Sequence, residues 1–155
     1  AHITYLSRDS MEIKFGRDLK TELKEGDELY GLFGPMFQVE SYLRYQGRKF
    51  VSRFDANSYL YITKAMDLYD ITRGKNNLPE VLKKIDSKIL IVSFTSDWHF
   101  RPIESWEIVK ALMSQNKEVS YVNIDSPYGH DTFLLKNEEL EKSIYSFINT
   151  ARNTL

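Results

Sequence analysis

The chain has no cysteine, which excludes disulfides, thiolate metal sites and a thiol nucleophile together and suits the cytoplasm, where the protein is expected to reside. Nor does charge of one sign dominate. Lys and Arg total 21 against 22 Asp and Glu, for a net charge of -1, and no five like charges run together. Nucleic-acid and membrane-surface binders carry such an excess, so neither partner is expected. No apolar run approaches the roughly 18 residues of a membrane span, and no signal peptide is expected. Its 7 glycines never bracket a serine as G-x-S-x-G and form no phosphate-binding loop. The three histidines, His2, His99 and His130, lack ligand spacing, so no metal is expected.

What is present is one domain's worth of chain. The 155 residues are 42% hydrophobic, enough for a core. Residue 1 is Ala rather than Met, so the start is expected to be processed, engineered or cut from something longer. Residues 1 to 35 show no clean period and are read as a helical turn or two and a long loop, with breakers at Gly31-Leu32-Phe33-Gly34-Pro35. Val39, Tyr42, Leu43, Gln46 and Phe50 fall at helical spacing, which predicts one helix from Gln38 to Phe50, interrupted or ended near Gly47. Asp55 can cap a second helix carrying Tyr59, Ile62, Met66 and Tyr69. The tyrosines of this pair, Tyr42, Tyr45, Tyr59, Tyr61 and Tyr69, suit core packing first, and a tunnel lining or an oligomer interface second. Arg44, Arg48 and Arg53 are read as a solvated face that could also meet an anionic substrate.

The second half is more regular. Leu78-Pro79 opens a short helix to Ile85. Ile89 to Phe94 is a nearly continuous apolar run, the pattern of a parallel strand buried on both faces. A helix from Pro102 with an apolar face follows, and then a second strand, Val119 to Ile124. The intervening length requires a right-handed crossover and parallel pairing. Asn137 caps a last helix with Leu140, Ile144, Phe147, Ile148 and Ala151 on one face. Two parallel strands are too few for a stable sheet, so an incomplete structural unit is expected.

Asp97 follows the first strand and His130 the second, at the edge where open α/β sheets place their sites. A histidine there can serve as general base if a carboxylate orients it. A capping acid and a surface loop histidine would read the same way, and spacing does not separate the two. Ser93, Ser96 and Ser126 lie within or after strands, and Ser126 before Pro127 reads as a structural turn residue, so a nucleophilic serine is expected on a missing segment, or the chain is not a catalyst of this type.

Five blocks in order extend the pattern: Ala1-His2-Ile3-Thr4-Tyr5-Leu6-Ser7, Phe37 to Gly47, Phe54 to Leu60, Ser93-Phe94-Thr95-Ser96-Asp97-Trp98, and Asp125-Ser126-Pro127-Tyr128-Gly129-His130-Asp131. Together they resemble the C-terminal half of homoserine O-acetyltransferase, across nearly the whole chain. The resemblance implies an α/β fold: the last parallel strands and helices of an alpha/beta-hydrolase core, residues 78 to 155, plus most of a helical lid, residues 1 to 77. It implies a ping-pong acyl transfer of methionine biosynthesis, from acetyl-CoA as co-substrate to L-homoserine, with no tightly bound cofactor. Asp97 would be the triad acid and His130 the base. Asp131 would pair with the substrate ammonium, and Tyr5 would lie near the substrate. The serine, the oxyanion-hole amides and the arginine for the substrate carboxylate are expected in a missing N-terminal half, so the chain alone should be inactive. The lid helices would form a homodimer. His99 and Arg101 depart from the family, which has an apolar residue and Pro there. A succinyl-transferring relative and a non-catalytic remnant acting only in association are the alternatives.

Overall fold

A computed structural model describes residues 3–20, 37–75 and 77–153. His2 and the Gly31 to Pro35 breakers lie outside them. The chain divides into two compact units, one of Ala1–Ser10 with Asp70–Leu155 and one of Met11–Tyr69. The N-terminal residues and residues 70–77 thus group with the strands.

The first unit is built on a parallel pair, β1 (Ile89–Phe94) and β2 (Val119–Ile124), in register from Ile89 opposite Val119 to Phe94 opposite Ile124. The crossover is α5 (Pro102–Met113), which buries Val109, Ala111 and Leu112. It ends at a tight turn in which Asn116 takes a positive φ of 54° and Lys117 N–H returns to the Leu112 carbonyl. A short helix, α4 (Leu78–Leu82), stops three residues before the expected Ile85; Asn77 caps it by accepting the Glu80 N–H. Leu82, Ala111 and Leu112 form the core, with Leu78, Ile85, Ile89, Ile91 and Val119 packed around them.

The expectation that β1 is buried on both faces needs correction. Only Ser93 and Phe94 are buried, and the rest of the strand is half-buried, because the sheet has two strands among the described residues. The last helix, α6 (Glu138–Arg152), is capped as expected by Asn137, which accepts the Leu140 N–H at 2.9 Å. Its aligned apolar face is only half covered, with Ile144 and Ile148 exposed.

In the second unit, α2 (Gln38–Arg53) runs six residues past Gly47, contrary to the predicted break. Gly47 has ordinary helical backbone and open space around it, so nothing there interrupts the hydrogen-bond ladder. Asp55 caps α3 (Ala56–Leu68) by accepting the Ser58 N–H at 2.8 Å. Phe50 joins the two helices by stacking on Phe54 and meeting Tyr59 edge-on. Core packing of the tyrosines is not what the unit shows: no residue of α2 or α3 is buried, and Tyr61 is 80% exposed. Arg44, Arg48 and Arg53 are exposed as expected of a solvated face. A further helix, α1 (Arg8–Lys14), crosses the boundary between the units.

Candidate active site

The site lies wholly in the first unit, beyond the C-terminal ends of the two strands. The ladder continues one step past the strands, with the Thr95 N–H donating to the Ile124 carbonyl at 3.0 Å, and then the two loops separate. Asp97 is 4% exposed. A buried carboxylate needs donors for its oxygens, and Asp97 has three. Oδ1 accepts the N–H groups of His99, at 3.1 Å, and Phe100, at 2.8 Å. Oδ2 lies 2.7 Å from Nδ1 of His130. Asp97 caps no helix, since α5 begins at Pro102 with Arg101 at its N-cap position; Oδ1 is bound within its own loop, which leaves Oδ2 for His130.

Because the carboxylate can only accept, His130 Nδ1 carries the proton, and Nε2 is the basic nitrogen of the neutral ring. Nε2 makes no hydrogen bond among the described residues. The ring is boxed by aromatic side chains: Tyr5 tilted at 5.0 Å, Phe100 at 4.6 Å and Phe133 edge-on at 5.2 Å. Such packing fixes the plane of the imidazole, whose side chain stays 28% exposed. His130 sits in a 3₁₀ helix, Gly129–Leu134, rather than in a plain loop.

The N-terminal strap Tyr5 to Ser7 holds both loops. The Asp131 N–H donates to the Tyr5 carbonyl at 3.3 Å, and the Trp98 indole N–H to the Leu6 carbonyl at 3.1 Å. The Ser7 hydroxyl donates to the Pro127 carbonyl. Gly129, at φ +66°, lets the strap come this close: a Cβ there would stand 2.7 Å from both the Tyr5 carbonyl oxygen and the Ser7 nitrogen.

All four residues singled out in the sequence, Tyr5, Asp97, His130 and Asp131, therefore meet in one unit. Asp131 is half-buried, and its carboxylate has no partner among the described residues. His99 is exposed with its ring edge-on to Tyr5, and Arg101 is spent on Glu104 at 2.7 Å. The Arg101 guanidinium, by that hydrogen bond first, holds the Glu104 carboxyl below its ordinary value. Among the described residues no group of three His, Asp or Glu is placed to hold a metal ion.

Sequence reasoning missed a set of hydroxyls that ties the loops together. Thr95 Oγ1 donates to Asp125 Oδ1 at 2.7 Å and accepts the Ser126 N–H at 3.2 Å. Ser126 Oγ contacts Thr132 Oγ1 at 2.8 Å and accepts the Tyr128 N–H, the structural role expected of it. Thr132 donates to the Gly129 carbonyl, and Ser96 bridges to Ser126 and Gly129. The only signal in the sequence was the density of Ser and Thr in the two post-strand segments.

No protein-family profile matches the chain. Individual proteins do. It is 50% identical over 148 residues to the homoserine O-acetyltransferase of Methanohalobium evestigatum, which covers 96% of this chain and 29% of that protein. It is 54% identical over 135 residues to the homoserine O-succinyltransferase of Halothiobacillus neapolitanus, covering 86% of this chain and 32% of that one. The crystal structure of homoserine O-acetyltransferase from Bacillus anthracis superposes with a TM-score of 0.76 at 24% identity, over 96% of this chain and 38% of the other. The chain thus spans about a third of the length of the relatives it matches. The resemblance read from the five blocks is borne out, and the two strands with their helices are part of an alpha/beta-hydrolase fold.

Proposed function

We propose that this chain supplies the acid and the base of a homoserine O-acyltransferase whose nucleophilic serine stands outside these 155 residues. The observation that carries the reading is the 2.7 Å contact between Asp97 Oδ2 and His130 Nδ1 at the ends of adjacent parallel strands, in a chain about half identical to enzymes of that name. With Nδ1 held by Asp97, Nε2 would take the proton of the serine as it attacks the acyl thioester, and Asp97 would stabilise the resulting imidazolium. CoA would leave with a proton from the same nitrogen. Nε2 would then deprotonate the homoserine hydroxyl, whose oxygen attacks the acyl-enzyme ester, and finally reprotonate the released serine.

Asp131, beside the base and with an unengaged carboxylate, would receive the homoserine ammonium, and Tyr5 would wall the substrate pocket against the His130 ring. Residues of the second unit would be most of a lid, and their exposed apolar side chains favour a homodimer contact through α2 and α3. Acetyl-CoA is the donor we assign, in methionine biosynthesis in the cytoplasm. Succinyl-CoA is the second reading, favoured by the 54% identity to a succinyltransferase. With no G-x-S-x-G elbow, the 155 residues alone should transfer no acyl group.

Steady-state assays of the complete enzyme with each donor test the assignment. Acyl-homoserine formation from acetyl-CoA is expected, and Asp131→Ala should raise the KM for homoserine at least tenfold, the loss of a desolvated ion pair worth on the order of 1.4 kcal/mol or more. Turnover with neither donor, or an unchanged homoserine KM, would contradict it.

A further inference from the structure

The β ladder ends at the Thr95 N–H, yet His130 lies six residues beyond β2 and Asp97 three beyond β1. No ladder bond spans that gap, so something else must hold the two loops in step. Beyond Thr95, the side chain of Ser96 spans the gap. The Ser96 hydroxyl donates to the Ser126 carbonyl and accepts the Gly129 N–H at 2.8 Å. Ser126 and Gly129 bracket the turn that delivers His130. Ser96 adjoins Asp97, and Gly129 adjoins His130, so two successive residues of one loop grip two successive residues of the other.

We infer that Ser96 is a positioning residue whose hydroxyl locks the His130 turn to the Asp97 loop and so keeps carboxylate and imidazole in reactive register. This rests on the reading of Asp97 and His130 as the acid and base. A hydroxyl has one proton to donate and lone pairs to accept, and Ser96 uses both functions in opposite directions on one turn, which constrains the turn's position and its rotation together. Thr95 grips the same loop, but lower, at Asp125 and the Ser126 N–H, beside the last ladder bond, where the strands already fix the backbone. The strap residue Ser7 grips it at Pro127 without touching the Asp97 loop. Ser96 alone among these hydroxyls links the residue beside the acid to the residue beside the base. A misplacement of about 1 Å between catalytic groups can cost on the order of 100-fold in rate. Loss of the clamp should therefore fall on kcat, since the Ser96 hydroxyl is spent on Ser126 and Gly129 and acts through His130.

The test uses the complete enzyme with Ser96→Ala, Ser96→Thr, Ser93→Ala and His130→Ala. Ser93 is the matched control: it is buried on β1 and bonds Tyr121 Oη at 2.7 Å and Asn123 Oδ1 at 2.9 Å, touching neither loop. S96A is expected to lower kcat at least tenfold while KM for both substrates stays within about twofold, the split of a lost transition-state geometry. The far-downfield proton resonance of the His130 Nδ1–H should broaden or vanish in S96A and persist in S93A. S96T retains the hydroxyl and should retain most of kcat. Should S96A fail to fold, Ser96→Cys, similar in shape with a weak donor, carries the same expectation. A kcat for S96A equal to that of S93A, or an S96T loss as large as that of S96A, would overturn the clamp. Full turnover in H130A would instead overturn the reading of the site on which it rests.

Discussion

Gly129 is the residue on which the site's backbone geometry turns. Its φ of +66° is one that an L side chain adopts only at a cost, and the strap's Tyr5 carbonyl and Ser7 amide occupy the space a Cβ would need. Gly74 has a similar φ of +73° with nothing within 4 Å of its would-be Cβ, so the two glycines separate conformational strain from collision. Gly74→Ala should cost about 1 kcal/mol, and Gly129→Ala roughly 2 to 4, because it adds a clash of backbone against backbone. Chemical denaturation of the two variants checks this; equal costs would mean that the strap yields. The role of Gly129 was not readable beforehand. Asp97 and His130 were visible because each follows an apolar run by a few residues, whereas Gly129 owes its importance to Tyr5 and Ser7, more than 120 positions away.

The elements with the firmest local signals are those the sequence predicts best. Asn137 and Asp55 each stand just before a helical period and each cap the helix that follows. Asn137→Ala should cost about 1 kcal/mol, read from the unfolding midpoint, since the Leu140 N–H loses its acceptor. For Asp55, the Ser58 N–H first, then the Ser58 hydroxyl, hold the carboxyl below its ordinary value. A carboxyl lowered in the folded state stabilises above its unfolded pKa, and that contribution disappears as pH falls through the lowered folded value. The capping of α3 should therefore weaken on acidification, and Asp55→Asn, which keeps the cap without the charge, should remove that pH dependence from helical circular dichroism. Gly47 shows the opposite lesson. A glycine inside a helical pattern suggests a break, but eight strong helix formers among the other fifteen residues carry α2 through to Arg53. The extent of α4 was also overread, because Ile85 follows the helix as part of the core rather than as part of its period.

At the scale of the molecule, the parallel sheet, two-stranded among the described residues, the half-covered face of α6 and the exposed aromatic side chains of α2 and α3 are all surfaces that a larger alpha/beta-hydrolase fold would cover. The parallel pairing was legible because a dozen helical residues between two apolar runs permit nothing else. The grouping of Tyr5 and Ser7 with the strands was not, since it depends on hydrogen bonds across the chain that no local pattern encodes. In the proposed reading the site is likewise a product of the whole: an acid and a base from this chain would act on a serine held elsewhere. Rapid-mixing measurement of CoA release from acetyl-CoA and succinyl-CoA, without homoserine, isolates the step in which they act together. The complete enzyme should release one equivalent of CoA per site in a burst with its cognate donor, and His130→Ala should slow that burst by on the order of 10⁴-fold. A burst of undiminished rate in His130→Ala would show that Asp97 and His130 are not the acid and base of acyl transfer.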